Sequence, residues 1–162
     1  MKRLFILALS AIIALASCTK EGNPDGKWNA SLHGDTDPTL SLIFDGNKLD
    51  VYINSYGWRF EGTYTYTNNV VDYKVTKGYA ALADVVKDED GMIIEYSGGY
   101  ESVNHNTLKP NAGYGWYDML DYRPDLYEEY SEWLSKFKFE MNGEGKAESD
   151  ILGMGGTFTK VK

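Results

Sequence analysis

Cys18 is the single cysteine of the 162-residue chain, and it follows Leu15-Ala16-Ser17. A thiol is the most nucleophilic side chain a protein carries, and one cysteine alone cannot form an internal disulfide. The other chemically capable residues are more scattered. His33 and His105 are far apart and lack the spacing of metal ligands. Asp35, Asp37, Asp88, Glu89 and Asp90 are carboxylates of the kind that hold calcium or move protons, but Asp88-Glu89-Asp90-Gly91 does not fit the twelve-residue calcium loop. They read as solvated charges in turns. There is no Gly-x-Ser-x-Gly elbow, phosphate loop or dinucleotide fingerprint. No catalytic residue, metal site or cofactor is therefore expected, and the chain reads as a binding or interaction protein rather than an enzyme.

The second set of candidates is aromatic. Thirteen Tyr, six Phe and four Trp are a large complement for this length. Trp58, Phe60, Tyr64 and Tyr66 recur at even spacing, so they share one face of a strand. They are either a pocket wall that stacks on an apolar ligand or the filling of a core. In Asn111-Ala112-Gly113-Tyr114-Gly115-Trp116-Tyr117, glycines flank the aromatics on an apparent loop. Tyr114, Trp116 and Tyr117 there could stack on sugar faces, enter a partner's groove or fold back as a plug.

Strands must position these residues. Apolar residues alternate at Trp28, Ala30, Leu32; at Leu40, Leu42, Phe44; at Leu49, Val51, Ile53; at Trp58 to Tyr66; and at Val71, Tyr73, Val75. Asp45-Gly46-Asn47-Lys48 and Asn68-Asn69 read as tight turns. A sixth strand is expected over 79–86, a seventh over 92–97 and a short one within 101–108, with a loop over 109–115. The period then changes. Pro124, Asp125, Glu128 and Glu129 suit a helix start, and Leu126, Tyr130, Trp133, Leu134 and Phe137 fall on one helical face, predicting an amphipathic helix over 124–135. Phe137, Phe139 and Met141 alternate again, Asn142 to Gly145 turn, and 157–161 form a closing strand. The expected fold is all-β: an antiparallel up-and-down β-barrel with one amphipathic helix before the last strands.

The N-terminus is of another kind. Met1-Lys2-Arg3 is basic, and Leu4 to Ala16 is apolar apart from Ser10. This is the pattern of a secretory signal, too short for the roughly 20 residues of a membrane-spanning helix. Leu15-Ala16-Ser17-Cys18 resembles the lipobox of bacterial lipoproteins. The resemblance implies that residues 1–17 are a signal peptide, that the Cys18 thiol carries a diacylglyceryl group, and that its freed amino group is acylated, for example with palmitate. Two or more chains hold a protein stably to a membrane. Residues 18–25, polar with Gly and Pro, make the tether. Thr19 rather than Asp follows the cysteine, so the expected address is the bacterial cell envelope at the outer membrane, on its periplasmic face or at the cell surface. Losing residues 1–17 removes two of sixteen basic residues and none of twenty-four acidic ones, leaving a net charge of −10. Phosphate backbones repel such a chain, and nucleic acid is not an expected partner.

Gly26-Lys27-Trp28 opens the first strand and resembles the Gly-x-Trp motif of lipocalins and their calycin relatives. Together with a lipobox, a tether and a meander of aromatic strands, it is similar to the small lipocalin-like lipoproteins of bacteria across residues 26–162. The resemblance implies a lipocalin-like barrel that the Trp closes at one end and whose interior carries an apolar ligand. On that reading Trp28, Trp58, Phe60, Tyr64 and Tyr66 line the interior. An arginine late in the lipocalin chain stacks on the Trp; here Arg3, Arg59 and Arg123 all lie outside the last strands. The leading expectation is binding of a small apolar or amphipathic ligand. The rivals are an accessory or inhibitor role through loop contacts with an envelope protein, and glycan binding through Tyr114, Trp116 and Tyr117.

Overall fold

A computed structural model describes residues 22–31 and 36–162. The signal segment, Cys18, Leu32, His33 and Asp35 lie outside the described residues. About 54% of what is described is strand, so β pairing carries the architecture.

Five antiparallel strands come first: β1 (Gly26–Ala30), β2 (Leu40–Asp45), β3 (Lys48–Ile53), β4 (Trp58–Thr67) and β5 (Val70–Lys87). Their turns follow the sequence chemistry. Gly46 adopts φ 60° between β2 and β3, and Asn68 and Asn69 adopt φ 53° and 61° between β4 and β5, the positive-φ pair that a two-residue hairpin demands. β6 (Ile93–Gly98) pairs with the tail of β5. A small separate hairpin follows, β7 (Val103–Asn104) and β8 (Lys109–Pro110). β9 (Gly115–Asp118) then returns to β5. Two helices come next, α1 (Met119–Tyr122) and α2 (Pro124–Leu134), and the chain ends in β10 (Lys136–Met141), β11 (Lys146–Ser149) and β12 (Gly156–Lys160).

Two pairings close the sheet on itself. β12 pairs with β1 through Trp28↔Lys160, and β10 pairs with β5 through Phe137↔Val71. Eight strands thus form a ring in the order β1-β2-β3-β4-β5-β10-β11-β12, while β6 and β9 extend from the far half of β5. No helix among the described residues is long and apolar enough to cross a membrane.

β5 runs through the two strands expected from sequence. Glu61 pairs with Lys77 but Gly62 with Val75, so Thr76 is the extra residue of a β-bulge. The bulge shifts the parity of inward residues: Val71 and Tyr73 are buried before it, and Gly78, Ala80 and Leu82 after it. Gly62 permits it. A Cβ there would collide with the Lys74 carbonyl and meet the Tyr73 ring at 2.8 Å. The Tyr73 hydroxyl reaches over this gap and donates toward the carbonyls of Leu49 and Phe60, both at 2.9 Å, stitching β5 to β3 and β4.

α2 begins as its sequence prescribes, with Pro124 in the first turn and Asp125 beside Arg123. It packs Leu126, Tyr127, Tyr130 and the fully buried Leu134 against the core. Gly78 makes this approach feasible, because a Cβ there would lie 2.7 Å from the Tyr127 ring. The Tyr73 amide donates to the Ser135 carbonyl at 2.7 Å and fixes where the helix ends.

Candidate functional site

The aromatic stripe of β4 faces the interior of the ring. Trp58, Phe60 and Tyr64 are buried, Tyr66 is half-buried, and Trp28 of β1 joins the same cluster. Its ring contacts cross from wall to wall. Phe44 of β2 lies 5.3 Å from Phe139 of β10, the strand directly opposite in the ring, and 5.0 Å from Tyr64. Phe139 also meets the edge of Trp28 at 5.2 Å and of Phe158 at 5.7 Å. These are packing distances of interlocked aromatic pairs.

The polar tips of these rings are engaged. The Trp28 indole donates to the Pro24 carbonyl at 2.7 Å, Tyr64 donates to the Asn23 amide oxygen at 3.1 Å, and Tyr66 donates to the Phe139 carbonyl at 2.9 Å. Burial, with Asp25 nearby, pushes the Tyr64 hydroxyl up to about 12, and burial drives Tyr73 higher still. The Lys160 ammonium lies 5.4 Å from the centre of the Trp28 ring, a cation–π contact between β12 and β1.

Of the three aromatics expected on a loop, Tyr114 stays on the loop before β9. All three are half-buried, and Trp116 and Tyr117 belong to strand β9, where Ala81 and Ala80 of β5 are their partners. The small alanines of β5 let β9 close in, which the glycine-rich sequence of the segment masked. Successive residues face opposite ways. Tyr117 packs on the core, while Trp116 meets Tyr52 at 6.3 Å and Tyr79 at 6.5 Å. Between those two tyrosines lies Arg59, 5.4 Å and 6.0 Å from their ring centres. The guanidinium also binds Asp50 at 2.8 Å and Glu61 at 2.6 Å. Burial works against its charge, but the hydrogen bond to Asp50 and the neighbouring carboxylates more than offset it. Burial pushes Tyr52 up to about 12. This cluster ties β3, β4, β5 and β9 together through the guanidinium, whose buried Nε has no hydrogen-bond partner.

A second aromatic series lies at the helix end. Tyr56, Trp58, Tyr130 and Trp133 form an unbroken ladder with centroid spacings of 4.8, 5.1 and 5.1 Å. Tyr130 also stacks on Phe60 at 6.1 Å with the rings 10° from parallel. The ladder runs out of the core to solvent at both ends, since Tyr56 is 49% and Trp133 50% exposed. Beside Trp133 an open cavity of about 240 Å³ is lined by Trp133, Leu152 and Gly153. Leu152 adopts φ 58°, a conformation rarely held by a branched side chain. Burial raises the Tyr130 hydroxyl, with Tyr56 and Glu129 adding to the effect. Helical spacing placed Trp133 on the same face as Leu134; the structure turns it to the rim, because neighbouring positions on a helix diverge by about 100°.

The remaining sequence candidates have local duties. Asp88 accepts from the amides of Asp90 and Met92 and caps its own turn. His105 packs on Tyr100 at 4.3 Å and lies 3.9 Å from Asp37. Among the described residues no group of three potential ligands could hold a metal ion. Arg59 and Lys160 were not candidate site residues in the sequence, and Tyr130 was expected only as part of a helical face. Only the helical spacing of Tyr130 and Trp133 carried a signal. Compared with protein-family models, curated proteins and solved structures, the chain matches none.

Proposed function

We propose that this protein is a lipid-anchored lipoprotein of the bacterial envelope, held by Cys18. Its lipocalin-like barrel is a binding module, without catalytic function, that takes a small apolar or amphipathic ligand at the helix end. The observation that carries this reading is the aromatic ladder from Tyr56 to Trp133, which ends in an exposed indole beside a cavity of about 240 Å³. Rings that continue into the core are held rigidly, so a ligand stacking on Trp133 pays little ordering entropy. The closed ring of eight strands, the buried Trp28 and the cation above it support the barrel architecture. The wall-to-wall ring contacts at Phe44 and Phe139 favour a rim site over a central one.

Titration of the full chain with a neutral naphthylamine dye, followed by fluorescence, tests the site. Trp133→Ala should weaken the dye about tenfold, as loss of a stacked indole does. Unchanged affinity in that variant would overturn the assignment. The anchor is tested separately: Cys18→Ser should move the protein from the membrane to the soluble fraction, and equal membrane retention contradicts lipidation.

A further inference from the structure

We propose that the free edge of β6 accepts, as an added strand, an extended segment of a partner protein that alternates apolar and basic residues. β6 is the last strand of its sheet, bonded on one side to β5 and, among the described residues, to no strand on the other. Such an edge presents unpaired backbone donors and acceptors and is a template for another strand. Proteins usually blunt such edges with lysine or proline. The sequence here, Ile93-Ile94-Glu95-Tyr96-Ser97-Gly98, contains neither, and its blunting is limited to the charge of Glu95 and to register shifts between Ala83 and Lys87 of β5. Ile93 anchors the strand in the core at 7% exposure, whereas Ile94 is 58% and Tyr96 46% exposed. Ile94 and Tyr96 are two apart and share a face, and Tyr96 is braced by the edge of the buried Tyr122 ring at 4.7 Å.

Charge identifies the occupant. From Asp84 to Glu101 the chain carries six carboxylates, Asp84, Asp88, Glu89, Asp90, Glu95 and Glu101, against one basic residue, Lys87. That lysine is already bound to Asp121 at 2.8 Å. An acidic segment or a second copy of this strand would meet like charge, Glu95 above all, whereas directly opposed unlike charges across strands are stabilising. The partner strand therefore sets apolar residues against Ile94 and Tyr96 and basic ones against Glu95.

The test uses the full chain in mild detergent and a synthetic heptapeptide alternating valine and lysine. Fluorescence anisotropy should show saturable binding that weakens as salt rises, and NMR hydrogen exchange should show new protection confined to the amides of β6. Ile94→Lys changes an exposed position, should leave the melting temperature in place, and should abolish binding. Glu95→Gln should weaken it about fivefold, the upper range of one cross-strand charge pair. Binding that survives Ile94→Lys, protection elsewhere than β6, or equal binding of a peptide with glutamate in place of lysine overturns the proposal. So does concentration-dependent dimerisation that Ile94→Lys removes, since the edge would then serve a second copy.

Discussion

The interior of the strand ring and the helix end are built from the same kind of side chain yet offer opposite properties. Inside, Phe44, Tyr64, Phe139, Trp28 and Phe158 contact one another across the ring, and the backbone or nearby amides take up the polar tips of Trp28, Tyr64 and Tyr66. At the helix end, Tyr56, Trp58, Tyr130 and Trp133 also contact one another in series, but the series emerges into solvent next to a cavity. Trp58 and Tyr130 belong to both: each touches core residues and each supports an exposed ring. Aromatic content alone therefore does not mark a binding site. What separates the two regions is whether a ring's second face is covered by the protein itself.

Substitutions sharpen that contrast when each is read by both stability and dye binding. Phe139→Ala should have the largest effect. It removes a fully buried ring that touches Trp28, Phe44 and Phe158, and should cost about 3–5 kcal/mol in urea unfolding, with dye affinity unchanged in the molecules that stay folded. Dye affinity lost in proportion to that ring would merge the two regions into one.

Tyr73→Phe comes next. Its hydroxyl bridges the Leu49 and Phe60 carbonyls, and losing it should cost about 1–2 kcal/mol. The same hydroxyls impose a pH dependence. Tyr52 and Tyr64 are raised to about 12 and Tyr73 further, burial being the main cause. Unfolded tyrosines lose their protons near pH 10. Stability from these groups is full below pH 10 and is lost as pH climbs from there toward 12 and beyond, because only the unfolded chain ionises in that range. Thermal melts between pH 9 and 12 should show this fall, with a shallower slope in Tyr73→Phe.

The smallest stability effect belongs to Trp133→Ala. The residue is half exposed, so about 0.5–1 kcal/mol should be lost, while the dye affinity falls about tenfold. A binding loss with little stability loss at Trp133, opposed to the reverse at Phe139, is the pattern that separates surface from core.

Much of this architecture was legible in the sequence because its strands obey a period of two and its turns carry Gly and Asn where φ must be positive. Alternation alone puts Trp28, Leu42, Val51 and Phe60 on the buried face, where they lie. The parity break at Thr76 could not be read, since a bulge depends on the partner strand's Gly62, and one long strand looked like two. β9 was hidden by its glycines, and β11 by its brevity and its charged, outward Lys146 and Glu148. The proposed helix-end site was only half legible. The spacing of Tyr130 and Trp133 pointed to a helix face, but Leu152 and Gly153, which line the cavity with Trp133, come from a turn after β11.

The most direct measurement is a set of intermolecular NOEs between the naphthylamine dye and the isotopically labelled full chain. Cross-peaks to the Trp133 indole and the Leu152 methyls are predicted, with none to Phe44 or Phe139. Cross-peaks to Phe44, Phe139 and Tyr64 would place the guest inside the ring and contradict the account.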